Sequence, residues 1–75
     1  MPDKLPSVKA RQVIRVLETI GFQRIRQSGS HVTYRHPEGR WTIVSVHPGK
    51  TIPKGTLRKI IRDAGLTVDE FIELL

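Results

Sequence analysis

Cysteine is absent from the 75 residues, which excludes a disulfide scaffold, a Cys-based zinc site and a thiol nucleophile. Aromatic side chains are scarce, with 1 Trp, 1 Tyr and 2 Phe, so a core must be small and mostly aliphatic. A chain of this length has no room for a separate catalytic domain. Residues 1–75 therefore read as a single unit whose function lies on its surface. No run of 18 apolar residues occurs, and the opening MPDKLPSVKARQ lacks the apolar stretch of a signal peptide, so a cytoplasmic chain with no membrane contact is expected. Acids are missing where bases are dense. All 13 Lys and Arg fall between Lys4 and Arg62, where only Glu18 and Glu38 oppose them, a net +11. The whole chain carries +6 with a pI near 10.6, which favours a polyanionic partner.

What is present reads as helices around a small sheet. Ser7 is a plausible N-cap for a helix over residues 8–20, with Val13, Leu17 and Ile20 at helical spacing and Gly21 as its stop. Phe22–Gln27, His31–Arg35 and Trp41–Val46 are strand-like runs separated by Ser28-Gly29-Ser30 and by residues 36–40, both turn chemistry. In the antiparallel meander they predict, Val32 faces Val44 on the buried side. His31, Thr33, Arg35, Trp41 and Ile43 share the other side. Pro53 opens a second helix through Leu57, Ile60, Ile61 and Ala64, which ends at Gly65. Thr67 to Glu70 is a capping box, with Leu66 and Phe71 as a hydrophobic staple, for a short last helix docking through Phe71 and Leu74 or Leu75. The expected class is α+β, α-β-β-β-α with helices on one face of a three-stranded antiparallel sheet and a short C-terminal helix.

The basic stretch and the histidines are the candidate chemistry. Lys50 and Lys54 flank the start of the second helix, whose free N–H groups suit a phosphate. His36 and His47 each precede proline and read as loop residues. His31 differs, because it follows Gly29-Ser30 at the mouth of a strand and is assigned to the side away from the core. Three histidines with no cysteine and few acids supply no zinc spacing and no carboxylate cluster for Mg²⁺, so no metal and no cofactor are expected. Hydrolysis of DNA usually needs a metal-activated water, whereas RNA carries its own nucleophile in the 2′-hydroxyl, which an imidazole can deprotonate. A metal-free histidine nuclease therefore points to RNA, with His31 as base or acid, Lys and Arg stabilising the transition-state charge, and Ser30 able to position a phosphate oxygen. A non-catalytic double-stranded RNA-binding module fits the same element order. A small DNA-binding regulator is a third reading, although no helix-turn-helix spacing supports it.

Five blocks carry a family resemblance: Gly21-Phe22, Arg26-Gln27-Ser28-Gly29-Ser30-His31, Tyr34-Arg35-His36-Pro37, Val46-His47-Pro48-Gly49 and Ile52-Pro53-Lys54-Gly55-Thr56-Leu57. In this order and spacing the chain resembles the HicA family of bacterial and archaeal toxins. The resemblance implies a double-stranded-RNA-binding-domain-like fold, mRNA interferase activity on mRNA or other single-stranded RNA, and inhibition by a HicB antitoxin protein. It also implies that His31, in the G-S-H segment with Gly29 and Ser30, is the catalytic histidine. Lys4, Lys9, Arg11, Arg26, Arg35, Lys50, Lys54 and Arg58 are the expected RNA contacts. Three positions depart from the family pattern: Val32 stands where many members have a second histidine, Ser45 where proline is frequent, and Trp41 where a small or charged residue is usual. Trp41 and Ile43, exposed together on the open side of the sheet, would serve an antitoxin or self-association surface, unless Trp41 shields the edge of the core.

Overall fold

The register of the sheet follows from where its valines can be buried. In the computed structural model, which describes residues 4–75, β2 (His31–Arg35) lies between β1 (Gln23–Ser28) and β3 (Trp41–Ser45), antiparallel to both. The first three residues of the expected 1–75 unit lie outside the described part. Val32 pairs with Val44 and Tyr34 with Thr42, and all four side chains are buried. Their neighbours in the strands, His31, Thr33, Arg35, Trp41 and Ile43, face outward with exposed or half-buried side chains. The expected register and face assignment are both observed.

The helices α1 (Ala10–Thr19), α2 (Lys54–Asp63) and α3 (Val68–Leu74) complete an α+β unit. They form a second layer on the inner face, and the molecule is 17 Å through its thinnest dimension. Val13, Val16 and Leu17 of α1, Leu57, Ile60 and Ile61 of α2 and Phe71 of α3 meet Val32, Tyr34 and Val44 in one core. Thr42 is the buried polar side chain of that core, and its hydroxyl donates to Asp63 Oδ2 at 3.0 Å. The same carboxylate accepts Lys59 Nζ at 3.0 Å. Strand β3 is thereby tied to the last turn of α2.

Several boundaries move for local reasons. Ser7 does not cap α1. Residues 8 and 9 stay extended because they pair with the segment ahead of α2: Ile52 N–H donates to the Val8 carbonyl at 2.8 Å, and Lys9 bridges Thr51. That pairing buries Val8 and Ile52, and α1 starts two residues later than expected, at Ala10, with Gln12 Oε1 accepting the Lys9 backbone N–H at 2.8 Å. Pro53 is the cap residue of α2 and not its first helical residue. Phe22 is not in β1 but plugs the core beneath it, its N–H donating to the Leu17 carbonyl at 2.9 Å across Gly21, where φ is +103°. The Thr67–Glu70 capping box forms as expected, with reciprocal bonds of 2.8 and 3.1 Å. Of the two terminal leucines Leu74 packs on the core, while Leu75 is left exposed.

Strand β1 follows no simple alternation. Its register shifts between Arg24 and Arg26, and Ile25 has no partner in β2. Such a bulge turns two successive side chains toward one face and twists the strand. Every residue of β1 is exposed. An edge carrying a bulge and two arginines is a poor template for further strand pairing.

Candidate functional site

The turn ahead of β2 decides where His31 sits. Ser28 and His31 pair directly, which leaves Gly29-Ser30 as a two-residue hairpin loop. Gly29 has φ +58° and Ser30 does not have positive φ, the pattern of a II′ turn with glycine at its first position. Glycine at 29 is thus a backbone requirement, and a Cβ there would meet nothing within 4 Å. The turn is held from two sides. Gln27 Nε2 donates to the Gly29 carbonyl at 2.9 Å while its Oε1 accepts from Arg24 at 2.7 Å. On the other side the Val46 N–H donates to the Ser30 carbonyl at 2.7 Å.

His31 therefore stands as the first residue of the central strand, on the outer face, between Ser28 of β1 and Ser45 of β3. It is exposed, and no hydrogen bond or ion pair engages its ring among the described residues. An exposed, unengaged imidazole on a fixed backbone can exchange protons with a bound molecule. Ser30 is half-buried in the turn and contributes its carbonyl to the clamp.

The expected cations divide into groups. Arg26 and Arg35 share the outer face with His31, one opposite Thr33 and the other paired with Trp41. Because β2 begins where β3 ends, loop 46–53 and the starts of α1 and α2 lie at the His31 end of the sheet. They bring Lys9, Lys50 and Lys54 there, all exposed. Ser45, His47, Lys50 and Thr56 line a cleft of about 200 Å³ in this region. Arg11 and Arg58 lie on the helical side, across the core from His31. Arg11 lines a cleft with Arg15 and Leu75, and Arg58 one with Arg62 and Leu66. Lys4 pairs with Asp69 of α3 at 3.5 Å, both side chains widely exposed.

The remaining histidines have different surroundings. His47 is exposed in its loop. His36, read from sequence as an ordinary loop residue, is structural: its Nδ1 accepts the Glu38 N–H at 3.0 Å, which leaves Nε2 to donate to the Ile20 carbonyl at 3.0 Å. Its ring stands edge-on to Phe22 at 5.3 Å. Arg40 completes this corner, over the Phe22 ring and bonded to Glu38. The Arg40 hydrogen bond and charge, with a smaller contribution from His36, hold the Glu38 carboxyl below its ordinary range.

Trp41 and Ile43 are 57% and 42% exposed on the outer face, and Ile25, at the register shift of β1, is 55% exposed. Ile25 was invisible to sequence reasoning. Simple alternation groups it with both Gln23 and Gln27, yet these two fall on opposite faces, opposite Arg35 and Val32. The cluster Gln-Arg-Ile-Arg-Gln offered only its lone apolar residue as a signal.

Among the described residues no three His, Cys, Asp or Glu side chains converge as a metal site would require, and no helix is long and apolar enough to cross a membrane. The family described as the HicA toxin of bacterial toxin-antitoxin systems matches residues 10–66, from the start of α1 to the turn before α3. No curated protein matches the chain.

Proposed function

The chain belongs to the HicA toxin family of bacterial toxin-antitoxin systems, and on that premise we propose that it is a metal-independent endoribonuclease, an mRNA interferase, with His31 in proton transfer. The observation that carries this reading is the placement of His31 on the outer face of the central strand, exposed and flanked by hydroxyls, with Arg26 and Arg35 on the same face. A phosphodiester laid across β2 meets base and cation together.

In the proposed reaction the His31 imidazole takes the proton of an RNA 2′-hydroxyl. The oxygen attacks the adjacent phosphorus, the bond to the 5′-oxygen breaks, and that oxygen leaves as a hydroxyl after receiving a proton. A 2′,3′-cyclic phosphate remains on the upstream fragment. Charge building on the phosphoryl oxygens would be met by guanidinium and ammonium groups from Arg26, Lys9, Lys50 and Lys54, with Arg35 farther along the face as a contact to the bound strand. Gly29 and Ser30 hold His31 at the strand mouth. Lys4, Arg11 and Arg58, on the helical side, add to the general attraction for RNA and not to the cleavage face.

Membership of a toxin-antitoxin family implies an antitoxin partner, which we take to be a HicB-like protein. A partner covering the outer face would bury His31 and remove RNA from it in one step, and the exposed Ile43 offers it an apolar anchor there. Expression alone should arrest growth and deplete mRNA. Expression of His31→Ala should do neither, and co-expression of the neighbour-encoded antitoxin should restore growth. Growth arrest by His31→Ala equal to that of the wild type would remove His31 from the reading. Retention of RNA binding without any cleavage would favour the double-stranded RNA-binding alternative, which the α-β-β-β-α order supports.

A further inference from the structure

The outer face of the sheet carries three rows of side chains, and the row farthest from His31 is the unexplained one. Across the strands run Ser28, His31 and Ser45; then Arg26, Thr33 and Ile43; then Gln23, Arg35 and Trp41. Four residues of β2 separate the first row from the third, roughly 13 Å along the strand. Every charged group among these nine residues is positive or a histidine. Trp41, the only tryptophan of the chain, is 57% exposed there and paired with Arg35.

An exposed indole beside a guanidinium is costly to leave in water and suits a particular ligand. The indole face stacks on any nucleobase, the guanidinium meets the phosphate joining that base to the next, and an open antiparallel sheet is a flat platform for both. We propose that Trp41 and Arg35 form a base-stacking subsite for single-stranded RNA, a few nucleotides away from the phosphate that His31 attacks. Thr33 and Arg26 line the path between them. This inference rests on the ribonuclease reading of His31 and adds a second contact point that fixes the strand's direction across the sheet. A protein partner would also find Ile43 on this face, but the positive sign of these rows and the shared face with His31 favour the nucleic acid.

Because Trp41 is the sole tryptophan, its emission reports on this subsite alone. A short single-stranded RNA titrated at low salt into His31→Ala, which leaves the RNA intact, should quench that emission saturably. In fluorescence anisotropy with labelled RNA, Trp41→Ala should weaken binding by roughly 5- to 150-fold, the range for losing one base–aromatic stack, and Trp41→Phe should keep most of it. With His31 in place, Trp41→Ala should raise KM far more than it lowers kcat. Unchanged emission at saturating RNA, or unchanged affinity of Trp41→Ala, would overturn the subsite. So would a Trp41→Ala protein that binds RNA normally and no longer binds the antitoxin, which would assign the face to the protein. Wild-type cleavage that Trp41→Ala retains with unaltered KM defeats the subsite and leaves His31 standing. Failure of the wild type to bind or cleave RNA defeats both.

Discussion

An imidazole does what its two nitrogens meet, and His36 and His31 meet opposite things. His36 has an N–H facing one nitrogen and a carbonyl facing the other, so its ring is held in one orientation. His36→Ala leaves a half-buried carbonyl and N–H to find water, and should cost about 1–3 kcal/mol in urea or thermal unfolding. His31→Ala removes an exposed ring and should stay within about 0.5 kcal/mol of the wild type. Gly21→Ala should be worse than an ordinary surface change, since φ is +103° and the added Cβ would stand 3.0 Å from His36 Nε2; about 1–2 kcal/mol is expected from the backbone alone. Part of that loss should be relieved in the double variant with His36→Ala, which a double-mutant cycle would read. Tyr34 sets a pH dependence. Burial, and secondarily the Glu18 charge, raise its phenol above 10.0, with Arg24 opposing. The unfolded phenol then ionises first, so the stability it contributes is complete below pH 10 and falls as pH rises through 10 toward the folded value. Tyr34→Phe should flatten that alkaline decline. The separate duties of His31 and His36 were only half legible in the sequence: a G-S-H turn announces an accessible histidine, whereas the carbonyl that occupies His36 comes from 16 residues away.

At the scale of elements, what could be read was what period and capping chemistry dictate. Val32 and Val44 can be buried together in only one parity, and that parity places His31, Arg35, Trp41 and Ile43 outward, as observed. Thr67 and Glu70 have the spacing of a reciprocal cap, and the bonds form. Thr67→Ala should cost about 1 kcal/mol, measurable as a lowered unfolding midpoint. The first turn of α1 and the path of β1 were not legible, because each depends on a partner distant in sequence. Val8 is drawn into the core by pairing with Ile52, and β1 shifts register at Ile25, which no local pattern in Gln-Arg-Ile-Arg-Gln announces.

At the scale of the molecule, the +11 stretch is spread over both layers, and only part of it lies near His31. Arg26 and Arg35 on the sheet and Lys9, Lys50 and Lys54 at its end make five cations, whereas Lys4 is paired with Asp69 and Arg11 and Arg58 lie on the helical side. Five neutralised phosphates predict a slope near −3.5 for log affinity against log salt on single-stranded RNA, at roughly 0.7 per phosphate. Neutralising Arg35 should reduce that slope by about 0.7, while neutralising Arg11 should change it less. Net charge in the sequence pointed to a polyanion; only the fold separates the cations that share a face with the histidine from those that do not. The account stands or falls on that histidine. Its most direct test is cleavage of a single-stranded RNA in EDTA by wild type and by a His31→Ala protein shown to be folded by circular dichroism. The account predicts fragments ending in 2′,3′-cyclic phosphate from the wild type and none from the variant. Equal cleavage by the two proteins would contradict it.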